Sequence, residues 1–488
     1  METTNSLPRT YQDDERVQKK RWLILIVVNL FTFMSTLDAS IVNVALPQIS
    51  KDLNLPIASS QWIVTIYLMV ICVLILLFGR LGDMLGKIFV FKIGTLLFIL
   101  GSLISGFGVT FALLLFGRTV QALGASMTMA NNFGIATDIF PRTERGRALG
   151  LIGTFVSLGS IAGPGIGGVV VSALSWNYIF WINVPIGIVV MLLGQRVLPK
   201  DLFRAKGRLD KTGTFVFGMF IILLFAGLLL GQHFGYNNGS IAGVLVLSAV
   251  FLIVFLRVEW RKKEPMLQLR LFGNPLFSIG ILCGYLVFLA NFCFNIIAPF
   301  YTQDILNMSA RDSGLLMMLF PVMMAVVAPL SGALSDKIGS EILTFAALLV
   351  LVAAQVGLGF LNGTSPLAYV GLLIAMLGIG SGMFMSPNNS LIMSTVPRSQ
   401  LGSAGSVNAL IRNLGMISGI TFATTLLFAS MSSVAGHRVT GLIPGHPEIF
   451  LYSMHLVFLA SAGICMVCAV ITGIRLVRSG HGMRHKPA

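Results

Sequence analysis

Charge is what this sequence has least of. Asp, Glu, Lys and Arg together make up 10% of 488 residues, only 18 residues are acidic, and 56% are hydrophobic. A soluble chain of this length would have to bury more apolar surface than its surface-to-volume ratio allows. A water-soluble globule is therefore excluded. The apolar runs are continuous and lack the alternation of a transmembrane β-barrel, which leaves membrane-spanning helices. There is no Gly-x-x-x-x-Gly-Lys-Ser/Thr loop, so no ATP motor is visible. The six histidines are scattered and no cluster has metal-ligand spacing, so neither a metal nor a cofactor is expected. No Ser/His/Asp context occurs, and an enzyme is not expected. The five cysteines (Cys72, Cys283, Cys293, Cys465, Cys468) all lie in apolar runs and read as small buried hydrophobes. The redox-like spacing of Cys465 and Cys468 falls inside a span and is discarded. The opening METTNSLPRTYQDDERVQKKR is too long and too charged for a signal peptide. A net charge of +15 suggests nucleic acid, but its distribution points to membrane topology, and no nucleic-acid partner is expected.

What is present is about fourteen apolar segments of span length, running from 22–47 to 451–476. With the N-terminus inside, only Lys51, Arg311 and Arg438 fall on outer connections. Both termini are thus expected in the cytoplasm of a multi-pass cell-membrane protein. Gly79-Arg-Leu-Gly-Asp83-Met-Leu-Gly86-Lys87 follows the second segment, and Gly332-Ala-Leu-Ser-Asp336-Lys337-Ile-Gly339 follows the tenth. The second copy comes two spans later than two joined six-span halves would place it. The predicted organisation is an N-terminal tail (1–21), a six-helix bundle (22–197), linkers with an inserted two-helix hairpin (198–274), a second six-helix bundle (275–476) and a tail (477–488). Internal repeats of this kind mark transporters.

The first segment, Trp22–Pro47, contains Asp38. An acid deep in a span usually faces the bundle interior and marks an ion or substrate path. Asp38 lies 16 residues into a span that starts inside, and Arg118 about 7 residues into one that starts outside. At ~1.5 Å per residue the two reach similar depth in a ~30–35 Å slab. Arg118 is always charged and needs Asp38, backbone carbonyls or Gln121 as its partner. Helical spacing puts Phe31, Met34, Ser35, Ile41, Val42 and Ala45 around Asp38, a face read as cavity-lining or as packing. Asn29, Thr32, Thr36, Ser40 and Asn43 lie opposite and read as interhelical glue. Phe288, Asn291 and Asn295 share a face of the ninth span and supply the matching wall. Asp83 sits at a helix junction where it can accept from helix N-terminal amides and pair with Arg80 or Lys87. Five glycines between 159 and 168 strip one face of the fifth span, and Pro164 permits a bend. Arg412-Asn413 in the thirteenth span can anchor carbonyls or an anionic group, and the residues do not decide between them.

These stretches together carry a resemblance. They are Leu37-Asp38-Ala-Ser-Ile-Val-Asn43-Val-Ala-Leu-Pro47, the two Gly-Asp-Gly loops, Arg118-Thr-Val-Gln121-Ala-Leu-Gly124, Gly163-Pro164-Gly165-Ile-Gly167 and Trp176-Asn-Tyr-Ile-Phe180-Trp-Ile-Asn183. In this order, across nearly the whole chain, the sequence resembles the major facilitator superfamily, specifically its fourteen-span drug/proton antiporters. It departs from that pattern at Met84, Ala122 and Asn177. The resemblance implies an all-α membrane protein with two six-helix bundles and two inserted central spans. It also implies proton-driven export of lipophilic or cationic small molecules by alternating access. Asp38 and Arg118 would then couple the proton, and Phe31, Met34, Asp38, Phe288, Asn291 and Asn295 would meet substrate. Arg80, Asp83, Lys87, Asp336, Gly163, Pro164 and Gly167 would gate, with the loop latching the outward-open state and the glycine motif marking antiport. A dedicated exporter of one metabolite, lipid or peptide remains the alternative on the same fold. A non-transporting receptor is the reading from another class.

Overall fold

A computed structural model describes residues 10–483 apart from 142–143, 203–208, 237, 263–264, 266 and 397–400. The basic positions Arg204, Lys206, Arg208 and Lys263, and the tail beyond 483, lie outside the described residues, as does the side chain of Asp336. The first bundle holds α1 (Glu15–Asp52), α2 (Ile57–Ser60 continuing as Trp62–Leu85), α3 (Lys87–Gly106), α4 (Phe111–Ile139), α5 (Arg145–Ala173) and α6 (Tyr178–Trp181 continuing as Asn183–Val197). A hairpin of α7 (Lys211–Phe234) and α8 (Gly239–Arg261) follows. The second bundle holds α9 (Pro275–Phe300 with a π-helical turn Tyr301–Ile305), α10 (Ala310–Met317 continuing as Leu319–Ile338), α11 (Ser340–Leu358), α12 (Leu367–Ser394), α13 (Leu401–Ala435) and α14 (Pro447–Met483). Thirteen of these are long and apolar enough to cross a membrane. The remaining one, α4, is 29 residues long but less apolar, because it carries Arg118, Gln121, Asn131 and Asn132 into the interior. All-helical spans satisfy every backbone group within the segment, which hydrocarbon requires.

The two bundles repeat one packing scheme. In the first, α3 and α2 pack on α4, and α1 packs on α5; in the second, α11 and α10 pack on α12, and α9 packs on α13. Between bundles α5 meets α10 and α13 meets α2, as a pseudo-twofold axis requires. The hairpin lies outside this scheme: α7 packs over the seam between α2 and α13. Lys262 closes the base of the hairpin on Asp210. Both copies of the repeated loop end on a glycine with positive φ, Gly86 at 112° and Gly339 at 94°. Side chains rarely adopt that conformation, which is why the motif finishes on glycine. Near the start of α1, the Tyr11 hydroxyl donates to the Lys200 carbonyl (3.2 Å) and accepts from the Leu202 N–H (3.1 Å). Burial pushes its phenol up to about 12. The five cysteines are free and buried, as the apolar runs predicted.

Close helix approach rests on absent side chains. A Cβ at Gly163 would stand 1.8 Å from Ser40 Oγ, and one at Gly167 2.7 Å from Ile41 Cγ1, so α5 lies directly on α1. Gly165 and Gly168 turn the other way, with the corresponding positions 2.2 Å from Met318 Sδ and 2.6 Å from the Ala310 carbonyl of α10. Pro164 sits between the two faces inside the helix, and its carbonyl would be 2.2 Å from a Cβ on Gly314. A Cβ added at Gly153, nearer the start of α5, would meet no heavy atom of another element within 4 Å. Gly163→Leu is therefore expected to force α1 and α5 apart and cost about 1–3 kcal/mol or more. Gly153→Leu should leave stability unchanged. Thermal unfolding of the two purified variants measures this, and equal melting temperatures would contradict the packing account.

Candidate functional site

Asp38 and Arg118 are both fully buried and joined by an Arg118 Nη1–Asp38 Oδ2 bond of 2.6 Å. Oδ1 of Asp38 accepts from Gln121 Nε2 and from Asn183 Nδ2, each at 2.8 Å. Arg118 and Gln121 stand three residues apart on one face of α4, so both reach α1 together. Nη1 of Arg118 also donates to Gln121 Oε1 (2.6 Å), and its Nε donates to the Ile63 carbonyl of α2 (3.1 Å). Gln121 Nε2 reaches Ser102 Oγ of α3 at 2.8 Å. The Tyr67 ring lies 4.1 Å below the guanidinium carbon and the Phe180 ring 5.7 Å from it, so aromatic faces complete the cation's surroundings. The three partners open to Arg118 in the sequence are thus engaged at once. Among the described residues only its Nη2 lacks a hydrogen bond. Asn183 entered the sequence reading only as part of a motif. Ser102 and Tyr67 carried no sequence signal, since a Ser and a Tyr in apolar spans look like ordinary packing.

Around this centre the residues expected to meet substrate lie in different surroundings. Phe31 and Met34 are fully buried. Phe31 packs edge-on against Phe91 and Phe98 of α3, with ring centroids 5.7 and 5.3 Å apart. Both side chains face the interior of the first bundle, because α3 covers that side of α1. The half-buried aromatic is Phe33. It lines an apolar cleft of about 610 Å³ with Leu158, Ile161 and Ile166 of α5 and Leu315 and Met318 of α10. The opposite stripe bonds its neighbours in part: Ser40 Oγ reaches the Gly159 carbonyl at 3.3 Å and Thr32 Oγ1 accepts from Asn132 at 2.9 Å. In the second bundle Phe288 and Asn295 are half-buried, while Asn291 is buried and donates to Ser381 Oγ of α12 (2.9 Å).

The residues expected to gate lie in two places. Lys87 bonds Asp138 of α4 at 2.8 Å and Asp83 at 3.5 Å. Asp83 does not cap the following helix. The amides of Ile88 and Phe89 donate instead to Asp201, each at 2.9 Å. Asp201 follows α6 in sequence but reaches the start of α3, leaving Asp83 half-exposed with its charge turned to Lys87. Arg80 is half-buried on the last turns of α2. At the opposite end of the helices the bundles are joined. Lys51 pairs with Asp304 at 2.7 Å, Gln303 donates to the Val44 carbonyl at 3.0 Å, and the Ala58 amide donates to the Thr440 carbonyl at 3.2 Å. The contacts of Gly165, Gly168 and Pro164 with α10 extend the same junction.

Comparison with known proteins agrees with this architecture. The family model described as Major Facilitator Superfamily matches residues 28–420. A riboflavin transporter, RibZ, of Clostridioides difficile (strain 630) is 32% identical over 93% of this chain and 97% of that protein. The multidrug transporter protein MdtP of Bacillus subtilis (strain 168) is 28% identical over 88% of this chain and 79% of its own length. Among solved structures, a bacterial homolog of the human lysosomal transporter Spinster, in an inward-facing and unoccupied conformation, has a TM-score of 0.64 at 14% identity, covering 94% of this chain and 97% of that one. A peptide transporter, POT, has a TM-score of 0.66 at 14% identity, covering 93% and 95%.

Removing one partner of the buried pair leaves an uncompensated charge, so Asp38→Asn and Arg118→Gln should each cost about 3–5 kcal/mol. The double variant should recover part of that loss. Thermal unfolding of the four proteins gives the coupling energy. Strictly additive losses would mean that the two charges do not support one another.

Proposed function

The chain belongs to the major facilitator superfamily, and from that premise we propose that it is a proton-coupled exporter of small lipophilic compounds. In this reading it works by alternating access, as a fourteen-span drug/proton antiporter of the cell membrane with both termini in the cytoplasm. The units that move are the two bundles, 22–197 and 275–476, with the segment 198–274 as a peripheral clamp. The observation that carries the reading is the fully buried Asp38–Arg118 pair with its ring of neutral donors. A buried ion pair adds little net stability over an apolar pair of the same shape, although losing either partner alone is costly. It does suit a proton site. When Asp38 takes a proton, Arg118 keeps the Ile63 carbonyl, Gln121 and the Tyr67 face, so the cation survives the loss of its counter-charge. In this reading the proton also frees Arg118 and Asn183 to rearrange. With both termini inside, the junction through Lys51–Asp304 and α5–α10 lies at the outer ends of the helices, and this reading takes it as the outer gate in its closed state. The half-exposed Asp83 beside Lys87 is placed to latch the inner ends in the opposite state.

A dedicated metabolite exporter is the second reading, favoured by the near full-length similarity to a riboflavin transporter. Both readings are tested in everted membrane vesicles under an imposed pH gradient. Wild type should concentrate several unrelated lipophilic dyes, and an uncoupler should abolish this. Accumulation of one compound alone from a broad panel would establish the second reading. At matched expression, Asp38→Asn should still exchange substrate down its gradient but no longer concentrate it. If the Asn variant concentrates substrate, the coupling proton lies elsewhere. Asp83→Asn should slow transport while equilibrium binding of the dye persists, and normal transport by this variant would remove the latch.

A further inference from the structure

Each intramembrane or partly buried arginine with a described partner is matched to it: Arg118 to Asp38, Arg475 to Glu341 at 3.4 Å, Arg21 to Glu144 at 2.9 Å, and Arg438 to the carbonyls of Gly231 and Gln232. Arg412 differs. It lies eleven residues into α13 and inside the apolar span Val407–Ala435. It is half-buried. Its Nε is buried without any hydrogen-bond partner, and no described carboxylate pairs with it. Asp38 is the one acid at comparable depth, and Arg118, Gln121 and Asn183 already occupy it. The neighbours of Arg412 fix the face it lies on. One turn earlier, Asn408 donates to Asn389 of α12 (3.0 Å). Three residues later, Gly415 abuts Phe288 Cβ and the Tyr285 carbonyl of α9. Arg412 shares this face of α13 with Asn408 and Gly415, within about 60° of both, and so belongs to the side that meets α9 and α12. A guanidinium in hydrocarbon without a counter-charge costs several kcal/mol. It is retained here with its donors open.

We propose that Arg412 is an anion-recognition residue of the central path, binding the acidic group of an amphiphilic organic monoanion, a carboxylate or phosphate ester. The apolar part of the ligand then rests against Phe288. This rests on the path between the bundles being the substrate path. It assigns the accessible fixed charge of that path as positive, because Asp38 is closed off. Planar paired N–H donors suit carboxylate and phosphate oxygens.

The test is binding to the full-length protein in nanodiscs, followed by titration and by ligand-induced thermal stabilisation. The probes are benzoate, 1-naphthoate, decanoate and dodecyl phosphate, with the neutral amides of the first three and dodecanol for the last. Wild type is expected to bind at least one anion about tenfold or more tightly than its neutral partner. Arg412→Gln should erase that preference and leave neutral binding unchanged, while Arg412→Lys retains part of it. Arg412→Gln should also melt at the same temperature as wild type or higher, since it removes an uncompensated charge; a structural anchor would melt lower. No anion preference in wild type, or a preference that persists in Arg412→Gln, overturns the proposal. Binding is read without a proton gradient, so a failure of energised export would remove the exporter reading and leave the Arg412 assignment standing.

Discussion

The structure depends on how one ion pair is held in a medium that does not solvate charge. Asp38 and Arg118 come from α1 and α4, and their supporting groups from α2, α3 and α6. Five of the six helices of the first bundle therefore converge on a single charge-neutral centre. Low dielectric makes each of these hydrogen bonds stronger and each missing one more costly. The helices are in effect registered by the pair: a slip of α4 along its axis by one residue would move Arg118 about 1.5 Å and rotate it about 100° away from Asp38. The fifth helix, α5, takes no part in this network. It is held mainly by shape, through glycines laid on Thr36, Ser40 and Ile41 of α1, with one long hydrogen bond from Ser40 Oγ to the Gly159 carbonyl and the Arg21–Glu144 pair at its start.

That division of labour bears on motion. Polar networks fix geometry, whereas contacts made by glycine against backbone can slide or rock at small cost, because no hydrogen bond must break. The helix held mainly by shape is the one that also contacts α10 of the other bundle. The bundles are thus joined through the element least pinned to the charged centre. The polar links at the far ends, Lys51–Asp304 and Gln303 to Val44, lie near the ends of the helices, and the exposed lysine of the ion pair is readily taken up by water when the pair parts. A junction of this kind closes firmly by packing and still opens without stranding a buried charge.

Much of this was legible in the sequence for identifiable reasons. Span length and basic-residue placement gave the helices, and depth arithmetic paired Asp38 with Arg118 because charges in hydrocarbon have few possible partners. The late second Gly-Asp-Gly copy pointed to the inserted hairpin. Helical periodicity failed where a neighbour mattered. It grouped Phe31 and Met34 with Asp38 correctly but could not show that α3 covers that side, so Phe33 rather than Phe31 faces the cleft. It likewise gave the amides at the start of α3 to the adjacent Asp83, when Asp201, more than a hundred residues away, takes them. In each case the local rule was sound and the competing partner was distant in sequence. The fourth span fell below the apolar threshold for the same reason that it carries the site: its polar residues face inward.

The two bundles share a packing scheme but not a charge balance. In the first, the deep acid and the deep arginine cancel. In the second, the pseudo-equivalent of α1 is α9, where the polar residues are Asn291 and Asn295, and neutral amides take the acid's place. Asn291 is satisfied by Ser381 through its amide nitrogen, and its carbonyl oxygen finds no partner. Among the described residues no carboxylate pairs with Arg412. The duplication thus preserved the helix contacts while separating two tasks, a closed neutral centre on one side and an open cation on the other. A path bounded by both is electrically positive only where the second bundle lines it. In hydrocarbon such an excess charge attracts an anion far more strongly than the same charge would at a wet surface. Asymmetry of charge within a symmetric frame is what gives the path a preference that neither half alone would have.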